Sequence, residues 1–209
     1  MATPSMKDPA SWIFKQIKVN HGSAIVALLR EFNTLQWHES LLEYSTEKAT
    51  ALVSWKDLVN NGAQWDHKSE IIEKFGKWSH DPTTNTFYFF DIWSNIHYGF
   101  IGAAAGFSEW MLLAGAGYAQ VNAGTSPPGY WSRRFETLGD ADFLAAFDDP
   151  LDQVAIKIGV NLYETRGGAL TVDDLIKQVR SQKDSLSTRP EFSTSPENMP
   201  GFIGPMPGN

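Results

Sequence analysis

One stretch of the 209-residue chain restricts its fold more than any other: Phe87–Gly106, FYFFDIWSNIHYGFIGAAAG. On a helix starting at Asp91 and turning about 100° per residue, Ile92, Trp93, Ile96, Phe100, Ala103 and Ala104 gather on one broad face. A face that apolar belongs in a core. Asp91, Asn95, Tyr98 and Gly102 fall on the other side, within an arc of about 60°. Just upstream, Asp81-Pro82-Thr83-Thr84-Asn85 is a turn signal, and Thr86-Phe87-Tyr88-Phe89-Phe90 favours extended structure. A short hairpin leading into a buried helix is the expected local arrangement.

The remaining pattern is helical. Ser23 is placed to cap a helix through Ile25, Leu28, Leu29, Phe32 and Leu35, and Ser40 opens a second run that Asn61-Gly62 stops. Ser108 starts another helix, and the loop Asn122–Asp140 with Pro127-Pro128-Gly129 follows. Pro150 suits the first turn of a helix to about Glu164. Thr171 with Asp174 forms a capping box for a last helix to about Arg180. The fold class read from this is mainly α with a short β-hairpin, an α+β arrangement. Residues 1–20 read as an N-terminal extension and 21–184 as one compact helical domain. Residues 185–209 read as a disordered Pro/Ser/Gly-rich tail.

Composition narrows the chemistry. There is no cysteine, which removes disulfides, thiolate metal sites and a cysteine nucleophile. A hydrophobic fraction of 42% is ample for a core without staples. Lys and Arg number 17 against 24 Asp and Glu, a net charge of −7, so no basic stripe is available to neutralise phosphates. Eight tryptophans leave room for rings that stack on sugars or bases once the core is filled. The polar, proline-bearing start lacks the basic and apolar regions of a signal peptide, and no apolar run approaches the roughly 20 residues of a spanning helix. The expectation is a protein without membrane insertion, secreted or delivered to a target cell without a classical signal, or cytoplasmic.

The polar stripe carries the first candidate chemistry. Asp91 is placed for general acid or base work, its pKa raised by the aromatic wall of Phe89, Phe90 and Trp93. Asn95 would fix a substrate hydroxyl or a water, with Tyr98 hydrogen-bonding beside it; the alternative is that Asp91 caps the helix while Asn95 and Tyr98 meet another element's backbone. Gly102 costs about 1 kcal/mol of helix propensity, so something is expected to approach the backbone there. Trp65-Asp66-His67-Lys68 is a second polar knot, in which Asp66 is a candidate second carboxylate and also an ordinary partner for Lys68. None of the five histidines pairs with another at i, i+4, and no HExxH run exists, so no metal site or cofactor is expected. His97 lies at the edge of the core face, as a boundary histidine or a catalytic one. Asp148, Asp149 and Asp152 read most simply as acids at a helix N-terminus.

Four ordered blocks, WDHK at Trp65–Lys68, DIWSNIHYGFIGAAAGFS at Asp91–Ser108, LLAGAGYAQ at Leu112–Gln120 and DDPLDQVAIKIGVNLY at Asp148–Tyr163, together resemble the polymorphic toxin type 44 family (bacterial toxin 44). The resemblance spans about Asn20–Tyr163. It implies an enzyme acting on a macromolecule of a competing cell and an immunity protein as partner. The family's acidic position falls on Asp91, its Asn, aromatic and Gly on Asn95, Tyr98 and Gly99, and its Trp-Asp-x-Lys on Trp65, Asp66 and Lys68. Members often carry Glu at the first of these and a residue other than His at position 97, which favours a carboxylate role for Asp91. Two activities stay open. One is hydrolysis of a cell-wall glycan, a polymeric peptidoglycan substrate, with Trp65, Trp93, Lys68, Gly99 and Gly102 on the substrate side. The other is a metal-independent RNase using His97 and Lys68. A non-enzymatic binding module is the third reading.

Overall fold

The computed structural model describes residues 3–34, 41–123 and 150–190. Among these the chain is mainly helical, with one small antiparallel sheet. The helices are α1 (Lys7–His21), α2 (Ala24–Thr34), α3 (Leu41–Val59), α4 (Lys68–Phe75), α5 (Asp91–Ala104), α6 (Glu109–Ala123), α7 (Pro150–Arg166) and α8 (Val172–Ser181). The strands are β1 (Trp78–Asp81), β2 (Thr86–Phe89) and β3 (Thr188–Pro190). None of the described helices is long and apolar enough to cross a membrane.

Local chemistry sets the element starts. The Ser23 hydroxyl accepts from Val26 N at 3.4 Å and the Ser108 hydroxyl from Met111 N at 3.3 Å. Thr171 and Asp174 close a reciprocal capping box ahead of α8. At the β1–β2 turn the Asp81 carboxylate accepts from Thr83 N at 3.1 Å and from the Thr84 hydroxyl at 2.9 Å. Asn85 closes that turn at φ 49°, a left-handed conformation that asparagine tolerates. Strand order is β1-β2-β3, with Trp78 opposite Phe89 and Phe87 opposite Arg189.

Helix α5 is the axis of the core. Ile92, Trp93, Ile96, Phe100 and Ile101 are all at most 2% exposed, and α5 packs most extensively on α7. Two glycines make that approach close. A Cβ on Gly99 would run into the Ile156 carbonyl of α7. One on Gly159 would meet the Ile96 carbonyl and sit 2.7 Å from Phe100 N. Helix α1 covers another side of α5, burying Ala10, Ile13 and Ile17. The expected N-terminal extension is therefore corrected. Met6 and three turns of α1 are core, and the backbone N–H of Met6 donates to the His80 carbonyl at 2.8 Å.

The tail boundary is corrected too. Leu186 is buried, Phe89 N donates to the Ser187 carbonyl at 3.0 Å, and β3 adds an edge to the sheet. Strand pairing uses backbone groups, which a Ser/Thr/Pro-rich composition does not forbid on an edge strand. The rest of the expected tail, the Asn122–Asp140 loop beyond residue 123, and Asp148 with Asp149 lie outside the described residues.

One ion pair ties the sheet to α8. Asp81, fully buried, accepts from Arg180 Nε at 2.8 Å and Nη2 at 2.7 Å, and Nη2 also reaches the Thr83 hydroxyl at 3.0 Å. Burial alone would raise the Asp81 pKa. The Arg180 fork and the turn donors outweigh it and hold the carboxyl down at about 2. A depressed carboxyl stabilises the fold above its ordinary pKa of 3.8 and loses that contribution as pH falls toward 2. Arg180→Ala leaves the buried Asp81 without its counter-charge and is expected to cost about 2–3 kcal/mol. Urea midpoints of the two proteins at pH 7 check this. Equal midpoints would remove the pair from the account.

Candidate active site

Asp91, Asn95 and Tyr98 rise along successive turns of α5, as their spacing predicts, but each side chain has a different surrounding. Asp91 is half-buried in the first turn and is not the N-cap, which is Phe90. Asn95 is 9% exposed, and its Nδ2 donates to Asp152 Oδ1 on α7 at 2.8 Å. The Tyr98 hydroxyl donates to the Leu112 carbonyl of α6 at 3.0 Å, and its ring lies 5.3 Å from that of Trp55.

Asp152, which the sequence marks only as an acid at a helix N-terminus, meets Asn95 in the structure. It stands in the first turn of α7, as Asp91 does in α5. Asp91 and Asn95 are i, i+4 neighbours, so their Cβ atoms are about 5–6 Å apart. One buried carboxamide is thus flanked by two acids that come from separate helices. Asp152, Ile156 and Gly159 share one helical stripe of α7, and Asn95, Gly99 and Gly102 share one of α5. An acid ahead of a glycine-bearing stripe was the available signal, but only the packing of one stripe on the other pairs Asp152 with Asn95.

Several expected substrate contacts are corrected. Trp93 is 0% exposed and belongs to the core, so it offers no platform for a sugar. The close approach expected at Gly102 is made by protein, since a Cβ there would collide with the Leu112 side chain. Gly99 gives its space to Ile156. Asp66 spends its carboxylate on its own loop, accepting from Gly62 N at 2.9 Å and Lys68 N at 3.3 Å. The half-buried Lys68 opens α4. Trp65 is buried, with its ring 5.9 Å from Trp55 and 6.3 Å from His97.

His97 is interior as well, at 1% exposure, and its Nε2 accepts from Asn20 Nδ2 of α1 at 2.9 Å. Its ring meets that of His67 edge-on, with centroids 4.4 Å apart. Burial, and then the neighbouring His67, hold the His97 pKa well below its ordinary 6.5. His67 is also lowered by burial, although Glu70 and Asp66 pull the other way. Neither histidine carries charge at neutral pH. Helical spacing gave no hint of this pair, because its members sit on different elements.

Among the described residues no three His, Cys, Asp or Glu side chains cluster closely enough to hold a metal ion. No curated protein and no solved structure is significantly similar to the chain. The family model for bacterial toxin 44 matches residues 54–165, more than half of the sequence, from α3 through all but the last residue of α7. That stretch contains Trp65–Lys68, α5 with Asp91, Asn95 and Tyr98, and the Asp152 turn, while α1 and α8 add core residues from outside it. The chain belongs to the bacterial toxin 44 family.

Proposed function

We propose that this toxin hydrolyses a polymeric cell-wall glycan of the peptidoglycan type, in the manner of a lysozyme. The observation that carries the reading is the Asn95–Asp152 hydrogen bond, one helical turn from Asp91, which gathers two carboxylates around one amide. Glycosidic cleavage needs a carboxylic acid to protonate the leaving oxygen and a carboxylate to stabilise or activate the attacking side. Asp91, half-buried in the first turn of α5, is assigned the acid. Asp152 takes the second role that the sequence offered to Asp66. Asn95 orients Asp152, and the Tyr98 hydroxyl, held on the Leu112 carbonyl, braces α5 against α6.

Charge supports a glycan over RNA. Two neighbouring carboxylates repel a phosphodiester, whereas a neutral sugar ring meets no such barrier. The RNase reading needs His97 to exchange protons with substrate, and a ring 99% removed from solvent and bonded to Asn20 is poorly suited to that. An immunity protein covering the Asp91–Asp152 end of α5 and α7 fits the toxin setting.

Purified peptidoglycan and total RNA, incubated separately with the protein, test the proposal. Soluble muropeptides from the first and intact RNA in the second are expected. Degraded RNA with undigested peptidoglycan would overturn the glycan reading.

A further inference from the structure

The buried histidine pair has a hydrogen-bonding logic of its own, independent of the substrate. Asn20 Nδ2 can only donate, so His97 Nε2 accepts and the ring proton of neutral His97 sits on Nδ1. On His67, Nδ1 faces Glu70 Oε2 at 3.2 Å, so the proton sits there and Nε2 is left with its lone pair. The remaining atoms, His97 Nδ1 and His67 Nε2, are both buried and neither has a hydrogen-bond partner. One is a donor and the other an acceptor, on rings already in contact. Only the doubly neutral state keeps both buried, adjacent rings free of charge. A proton on His67 would turn Nε2 into a buried donor with no acceptor, and would place a charge in the core.

The pair also sits where it can control order. His67 is the N-cap of α4 and follows Trp65, which lies against His97 and Trp55, and Trp55 lies against Tyr98. Asn20 brings in α1, and Trp12 of the same helix meets the His67 ring edge-on at 5.3 Å. The charged or titratable groups acting on the pair are Glu70 of α4 and Asp66 of the preceding loop, besides the two histidines themselves. Neither acid reaches His97.

We propose that His67 and His97 form a pH-sensitive clasp, which holds the Trp65–Lys68 segment and α4 on α5 while both rings are neutral and releases them on acidification. The sign follows from proton linkage. Below pH 6.5 the open state takes up protons that the closed state refuses, so closure weakens as pH falls from 6.5 and is complete above it. With two such groups the opening constant rises by up to about 100-fold per pH unit.

The test is hydrogen exchange of peptides covering residues 62–75 in the whole protein between pH 7.5 and 5.5, corrected for the intrinsic pH effect, with thermal melts in parallel. Protection of this segment is expected to fall steeply below pH 6.5, ahead of α7. In His67→Asn/His97→Gln, where Asn keeps a donor toward Glu70 and Gln an acceptor toward Asn20, the steep loss is expected to vanish, leaving at most the shallow contribution of His21, whose pKa burial also lowers. Proton NMR titration of the wild type guards against a variant that fails to fold. His67 and His97 ring signals that titrate freely near 6.5, or segment protection that is flat across the range, would overturn the clasp. Its failure would leave the glycan reading untouched, because these readouts involve no substrate.

Discussion

Asp91→Asn is expected to lower peptidoglycan turnover by about 10²–10⁴-fold while leaving the melting temperature nearly unchanged. The range is what a positioned general acid contributes, and asparagine preserves the shape of the side chain without a proton to give at the leaving oxygen. The half-buried position in the first turn of α5 makes the exchange mild for folding. Asp152→Asn should lower turnover as well, by removing the second carboxylate while an amide oxygen can still accept from Asn95. Muropeptide release per unit time, with a melt on each preparation, gives the answer. Full activity in Asp91→Asn would remove that residue from the chemistry, and loss of activity only in Asp66→Asn would return the second role to the Trp65–Lys68 segment.

Gly159→Ala is expected to be among the two most damaging single methyls at the described glycines. The new Cβ would meet the Ile96 carbonyl and stand 2.7 Å from Phe100 N, both backbone atoms of α5. A flexible side chain gives way cheaply, but a helix backbone does not, so α5 and α7 must move apart along their shared face. Overpacking usually costs about 1–3 kcal/mol, and this position is expected at or above the top of that range. Gly99→Ala, against the Ile156 carbonyl, should behave alike, whereas Gly102→Ala meets the movable Leu112 side chain and should cost less. Urea denaturation of the three variants ranks them, and a Gly102 variant as damaged as Gly159 would contradict the packing account. Separation of α5 from α7 would also break the Asn95–Asp152 bond, so activity should fall with stability.

Site geometry and core packing share one structural element. The interlock that brings α7 onto α5 is what carries Asp152 to Asn95, so site geometry and core packing cannot be altered independently. Arg180 and Asp81 act at the far end of the sheet and should change stability without that coupling.

Much of the local structure was legible because short-range rules govern it. The hairpin at Asp81–Asn85, the Ser23 and Ser108 caps, the Thr171 box and the start and polar stripe of α5 each depend on neighbours within a turn or two. The glycines of α5 were recognisable as places of close approach, but helical spacing cannot name what approaches, and Leu112 and Ile156 took the places reserved for substrate. Helix α1 and strand β3 escaped notice for opposite reasons. In Lys7–His21 the apolar residues are thinly spread and bury mainly through α5 and α8, while β3 depends on backbone bonds that leave no mark in composition.

What the sequence alone determined is the identity of the family and the face of α5 that carries Asp91, Asn95 and Tyr98, since order of motifs and helical period are properties of the chain itself. The company those residues keep comes from packing: Asp152 beside Asn95, His67 beside His97, Trp93 in the core. Residues 57 positions apart, as Asn95 and Asp152 are, meet only when separate helices pack. That packing is set by the summed shape of both surfaces, which no local pattern records.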